Sequence, residues 1–314
     1  EEQEIKNSIA SIKNSDPGGF CGAWIIFYAE LVLKNKNIKR KSLTKKIIKS
    51  KYVISTINGT SAIHIGLKSL GVKFNDEVLI PSISFVAPAN AILYNGAIPH
   101  FIDSELNHFG VDSKKLEQYL KKNTIIKNNL CINKKTKRII RAIIVVHVFG
   151  HPANIVNIVS ICKKFKIKVL EDAAEALGSL YKKKQVGTFG EIGVLSFNGN
   201  KIITTGVGGA IITNNKKLSQ VSRHLTTTSK IKHKWEFVHD QIGFNYRLAN
   251  INASLGISQI DRLDNLILKK KSLFKKFKQL MKHTKEIELL DQPKKCRSNF
   301  WLHTLVLKQA SKNK

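Results

Sequence analysis

The sequence predicts an α/β protein built on a doubly wound, mostly parallel sheet. Three observations predict it. Short apolar runs of strand length alternate with segments of helical periodicity from Tyr52 to Thr213. One of those runs, Ile139–His147, is apolar almost throughout, as expected of a strand covered on both faces. The polar residues able to do chemistry fall just after the runs, at the strands' carboxyl ends, where such folds bind ligands.

The elements follow in order. Tyr52–Ile57 reads as a strand, and Asn58-Gly59-Thr60 opens a helix over Ser61–Leu70. Glu77–Pro81 is a strand, Phe85–Tyr94 a helix and Pro99–Asp103 a strand. Ser113–Lys122 is a helix capped by Asp112 or Ser113. After Ile139–His147 come a helix at Ile155–Phe165 and strands at Lys168–Glu171, Val194–Phe197 and Gly209–Thr213. Ile251–Lys285 reads as one long helix, and Phe300–Leu307 as the start of a further strand. Upstream, Asp16-Pro17-Gly18-Gly19 is a turn signal and Ile38–Lys51 is expected to be helical. The expected division is an atypical N-terminal segment (1–50), a large domain (51–260), and a linking helix with the start of a smaller domain (261–314). The chain is expected to be incomplete at both ends.

Composition narrows the function. The 314 residues carry 53 basic and 22 acidic side chains, a net charge of +31. Only 7 of the basic residues are Arg, whereas readers of bases and phosphates favour the Arg fork. The excess of Lys is therefore read as a solvated surface, and nucleic acid is not expected as a partner. The apolar run Phe20–Leu33 is interrupted by Glu30 and is shorter than the roughly 20 residues of a membrane helix. No membrane partner is expected. The four cysteines are scattered, without metal-ligand spacing, and a reducing, cytoplasmic setting is expected.

Three weak signals gain weight together. Asp172 directly follows an apolar strand, beside the small Ala173 and Ala174. Alone it reads as a helix cap. Lys201 lies between two apolar strands in Ser196-Phe197-Asn198-Gly199-Asn200-Lys201. A buried lysine there could serve as nucleophile or base, though one lysine among so many carries little weight alone. Asn58-Gly59-Thr60-Ser61 opens a helix, and a helix N-terminus can hold a phosphate or simply be capped. An Asp, a Lys and a phosphate-holding turn make a constellation suited to pyridoxal 5'-phosphate (PLP). His147, His151, His233 and His239 lack metal spacing. His151 reads as structural, while His233 and His239 flank Trp235 in a stretch that could line a substrate site.

Several blocks, in order, carry a resemblance. They are Asn58–Ala62, Phe85–Asp103, His147–Ile155, Glu171–Ser179, Ser196–Thr205, Lys234–Asp240 and Gly243–Gly256. The chain resembles the DegT/DnrJ/EryC1/StrS family of PLP-dependent sugar aminotransferases, and within it the LegC-type branch. The resemblance implies a type I, aspartate aminotransferase-like fold working as a homodimer. It implies Lys201 as the lysine that holds PLP covalently and moves protons, and Asp172 as the partner of the pyridine nitrogen. Thr60, Ser61 and Ser196 would hold the cofactor phosphate, with Asn245 of the partner subunit adding a contact. Phe85 would cover the cofactor ring, and Glu175 would sit near its 3-oxygen. The implied substrates are L-glutamate and a nucleotide-linked, UDP-type keto-sugar of cell-surface glycan synthesis. The alternatives are a family remnant that binds PLP or a partner without turnover, a sugar dehydratase of the same fold, which Lys201 opposes, and a basic nucleic-acid binder.

Overall fold

A computed structural model describes residues 50–231, 233 and 235–308. The turn at 16–19 lies outside these residues, as does all but the end of the helix expected over Ile38–Lys51. The chain runs β1 (Tyr52–Thr56), α1 (Gly59–Ser69), β2 (Glu77–Pro81), α2 (Val86–Tyr94), β3 (Ile98–Ile102) and α3 (Ser113–Asn123). A hairpin of β4 (Thr124–Lys127) and β5 (Leu130–Asn133) precedes β6 (Ile140–Val146), a 3-10 turn at Val148–Gly150, α4 (Ile155–Lys164) and β7 (Lys168–Asp172). Then come β8 (Leu180–Tyr181), β9 (Lys184–Gln185), β10 (Ile192–Ser196), β11 (Gly209–Thr213) and α5 (Lys216–Thr226). The remainder holds α6 (Asn250–Ile260), α7 (Leu263–Leu280), β12 (Ile287–Leu289), β13 (Cys296–Arg297) and β14 (Leu305–Leu307).

Seven strands form the central sheet in the order β1-β11-β10-β7-β6-β2-β3. Only β11 runs against the other six. Alternate residues of each strand face opposite sides, so one strand serves two cores. Ala142, Ile144 and Val146 of β6 join one cluster with Ile63 and Leu67 of α1. Ile140, Ile143 and Val145 join another with Leu116 of α3 and Ile158 of α4. A third cluster sets Leu195 and Ile212 against Leu263 and Ile267 of α7. A Cβ on Gly66 would lie 2.8 Å from Leu170 Cδ1, so α1 lies close on the sheet. Among the described residues, no helix is long and apolar enough to cross a membrane.

Two expectations are corrected. The helix expected over Ile251–Lys285 is two helices, α6 and α7. At their junction Arg262 N–H bonds back three residues, to Gln259 O at 3.1 Å, which tightens the last turn and redirects the axis. The second axis carries Leu263 and Ile267 into the core. The strand expected over Phe300–Leu307 is confined to Leu305–Leu307. Phe300 takes a left-handed φ of 51°, and Asn299 Oδ1 accepts the Trp301 N–H at 2.9 Å, which makes a turn.

Candidate active site

Because six strands point the same way, their carboxyl ends share one rim of the sheet. β7 delivers Asp172 to that rim, and β10 delivers Ser196. β1 leads into Asn58 and α1. The antiparallel β11 starts there with Gly209, so residues 197–208, which carry Lys201, leave and rejoin the sheet at the same edge.

The Lys201 side chain is 13% exposed, and its Nζ lies 3.6 Å from Glu175 Oε1. The other oxygen of Glu175 accepts the Phe149 N–H at 2.8 Å. Lys201 Nζ also lies 4.0 Å from the centroid of the Trp301 ring. Asp172 is buried, and one of its carboxylate oxygens accepts the Ala174 N–H at 3.0 Å. Burial pushes its carboxyl above the usual range, opposed by the Ala174 bond and the charge of Lys201. Glu175 is likewise raised by burial, against the pull of Lys201. Asp172 and Glu175 thus both feel the charge of Lys201, and burial makes a cationic partner the way for either to stay ionised.

Below Asp172 lies a buried support. His147 N–H donates to the Asp172 backbone oxygen at 3.0 Å. The His147 ring and Glu171 are both fully buried, with Nε2 and Oε2 3.0 Å apart. His147 Nδ1 accepts the Ala153 N–H, so Nε2 carries the proton and donates to Glu171. Glu171 also accepts from the N–H groups of Gly187, Phe189 and Gly190 at 2.6–2.8 Å.

The opposite end of the site suits an anion. Asn58 caps α1 by accepting the Ser61 N–H at 2.7 Å. The helix has no acidic residue in its first turn, so its positive end is not countered locally. A Cβ on Gly59 would lie 3.3 Å from Ser196 Oγ, so the Ser196 hydroxyl sits against that helix end. A Cβ on Gly209 would lie 2.5 Å from the Asn58 carbonyl and 2.8 Å from Gly59 N. Only glycine lets β11 approach so closely. The result is a cradle of backbone N–H groups and a hydroxyl at a helix N-terminus.

The DegT/DnrJ/EryC1/StrS aminotransferase family matches this chain over residues 40–314. The chain belongs to that family. It is 39% identical over 250 residues to a putative pyridoxal phosphate-dependent aminotransferase, EpsN, of Bacillus subtilis, covering 80% of this chain and 62% of that one. It is 36% identical over 259 residues to the GDP-perosamine synthase of Escherichia coli O157:H7, covering 82% of this chain and 66% of that one. The chain thus spans just under two thirds of the length of these relatives. Among solved structures, Helicobacter pylori PseC, an aminotransferase involved in the biosynthesis of pseudoaminic acid, superposes with a TM-score of 0.76 at 27% identity. That match covers 90% of this chain and 75% of PseC. The type I aminotransferase fold is therefore established.

The family implies PLP, and the residues present fit it. The cradle at α1 suits its phosphate, the buried Asp172 suits a protonated ring nitrogen, and Lys201 suits its aldehyde. Of the residues expected at the site, Lys201, Asp172, Glu175 and Ser196 meet on the rim. Thr60 is half-buried and Ser61 buried, both in the first turn of α1. Phe85 caps α2, just past the carboxyl end of β2, and is 69% exposed. Asn245 is exposed and pairs with Thr227. His151 is buried, and neither of its ring nitrogens has a hydrogen-bond partner. His233 and His239 are exposed; His233 Nδ1 accepts the Glu236 N–H, and His239 Nδ1 is engaged by the Thr228 carbonyl eleven residues away.

Sequence reasoning missed Trp301, Asn299 and the His147–Glu171 support. A tryptophan in a lysine-rich tail was the available signal for the first. The others had none, since backbone partners 16 to 124 residues apart leave no local pattern.

Proposed function

We propose that this chain is a PLP-dependent aminotransferase that moves an amino group from L-glutamate to the 4-keto carbon of a nucleotide-linked 4-keto-6-deoxy-N-acetylhexosamine. It acts as a homodimer in cell-surface glycan synthesis, and it resembles the LegC-type enzymes with UDP-linked substrates. One observation carries the reading: a lysine, a buried aspartate and an anion cradle share one rim of a type I fold.

Bound there, PLP supplies an electron sink that stabilises negative charge on the carbon losing its proton. The chain's residues do the rest. The helix end at Gly59–Ser61 and the Ser196 hydroxyl hold the phosphate. Asp172 keeps a proton on the ring nitrogen, its carboxylate being poorly solvated and so in need of a positive partner. The Lys201 amine would hold the cofactor, and as a free amine it would take the proton from the donor's α-carbon and later deliver one to the sugar carbon. Glu175, 3.6 Å from Lys201 Nζ, orients that amine between the two tasks.

The test is the visible absorption of the protein mixed with PLP. The expected result is a protein-bound band, absent in Lys201→Ala and weakened in Asp172→Asn, that L-glutamate bleaches. Adding UDP-linked or GDP-linked 4-keto-6-deoxy sugars to the aminated enzyme should restore the band, faster with UDP. Folded protein without a band overturns the reading. A band indifferent to glutamate overturns the choice of donor, and faster recovery with GDP overturns the choice of nucleotide.

A further inference from the structure

We infer that Trp301 is a positioning residue for Lys201, holding its ammonium against the indole face and fixing the loop that carries it. This rests on the reading of Lys201 as the proton-moving amine, and on three independent contacts.

The first is the cation–π geometry, with Nζ 4.0 Å from the ring centroid of a tryptophan that is 8% exposed. An ammonium over a desolvated indole is held more strongly than one over an exposed ring. The second is a tie to the same loop. Trp301 Nε1–H donates to Asn200 O at 2.7 Å, one residue before the lysine. The third is the anchorage of Trp301 itself. Its N–H bonds to Asn299 Oδ1 at 2.9 Å. The Asn299 amide donates to Glu175 O and Leu177 O at 2.8 and 2.9 Å, while Asn299 N–H bonds to Ser179 Oγ. The turn that carries the tryptophan is therefore fastened to the segment that carries Glu175, the other group facing the amine.

The lysine is thus gripped on two sides, by Glu175 from the β7 side and by Trp301 from the C-terminal turn. The remaining charges nearby are Asp172 on the rim and Lys269 and Lys270 of α7, which line a cleft beside Lys201. Lys270 Nζ is itself turned to Trp301 O at 3.1 Å. An aromatic face suits an amine that must be free part of the time. It attracts the amine without the rigid partner that a second carboxylate would be, and it leaves the amine able to swing.

The experiment uses the whole chain without added cofactor. Each lysine's rate of acetylation by acetic anhydride at pH 7 is read by peptide mass spectrometry, because only the neutral, reachable amine reacts. In Trp301→Leu, Lys201 should label about tenfold faster, by loss of the cation–π contact. Trp301→Phe keeps a face but loses the Asn200 tie, and should fall between Leu and the parent. Lys68 of α1 is the control and should not change. The inference is overturned if Lys201 labels at the parent rate in Trp301→Leu, if Phe and Leu behave alike, or if Lys68 accelerates equally, which would show general loosening. In the PLP-loaded enzyme, kcat should fall in Trp301→Leu with KM for glutamate little changed. A parent chain that forms no PLP band would sink the functional reading, yet the labelling would still decide the Trp301–Lys201 contact.

Discussion

Glu171→Gln is the most searching perturbation of this site, because it changes one atom in a fully buried carboxylate. In the native side chain Oε2 accepts from His147 Nε2 and Gly187 N–H, and Oε1 accepts from Phe189 and Gly190 N–H. A glutamine amide offers one oxygen and one NH2 group. Whichever way it turns, the NH2 faces two donors. His147 cannot rescue it by exchanging tautomers, because its Nδ1 already accepts the Ala153 N–H at 3.1 Å. Two hydrogen bonds to a charged acceptor are lost, each worth about 1.5–3 kcal/mol. The expected loss is about 3–6 kcal/mol, a large share of the 5–15 kcal/mol typical of a domain. Urea unfolding followed by circular dichroism measures it, with the midpoint falling and the slope retained. Because His147 N–H also holds the Asp172 carbonyl, PLP affinity should fall too. A stability loss below about 1 kcal/mol would refute the claim that four donors converge on this carboxylate.

Two further outcomes are expected. Gly209→Ala should lower the melting temperature, through about 1–3 kcal/mol of strain, and weaken PLP binding, because its Cβ would press on the backbone of Asn58 and Gly59, which cannot swing aside as a side chain can. Gly66→Ala meets the movable end of Leu170 instead and should leave PLP binding alone; equal affinities for parent and Gly209→Ala would contradict the cradle. Acid should destabilise the fold through histidines kept neutral inside it. Burial, aided by Lys68, pulls His64 down to about 4, and burial pulls His151 to about 4 with Asp291 opposing and His303 assisting. Both unfolded values lie near 6.5, so this stability is whole above that pH and is lost as pH falls towards 4. At pH 5 each should cost about 2 kcal/mol relative to pH 7.5 in urea titrations. The loss should shrink in His151→Leu, and a flat profile would contradict the burial argument.

The sheet was legible in the sequence because its strands are buried on both faces and read as apolar runs, as in Ile140–Val146. Asp172 could be picked out because it directly follows such a run, whereas Ser196 entered only through the family resemblance. The β4–β5 hairpin was overlooked although Asn128 and Asn129, both at positive φ, are a readable two-residue turn between apolar stretches. The break at Asp261–Arg262 was invisible because neither residue opposes a helix, and the packing of Leu263 and Ile267 determines the new axis. Trp301 was hidden for a similar reason. Apolar alternation suggested a strand, while the hydrogen bonds of Asn299 to residues more than a hundred positions away impose a turn.

The single reversed strand of the sheet has a consequence for how this chemistry could be moved or tuned. A parallel successor to β10 would require a crossover that carries the chain to the opposite end of the sheet before it returns. Running β11 backwards instead makes the lysine segment a twelve-residue bridge between neighbouring strands, with both abutments on the same shore. Its span is fixed by strand spacing rather than by helix docking. Residues could therefore be exchanged within the bridge to tune the amine while Asp172 and the anion cradle stay in place, since both are rooted in the sheet and in α1. A graft of Phe197–Gly208 between related scaffolds should carry the lysine's reactivity with it, provided that the recipient supplies its own Trp301.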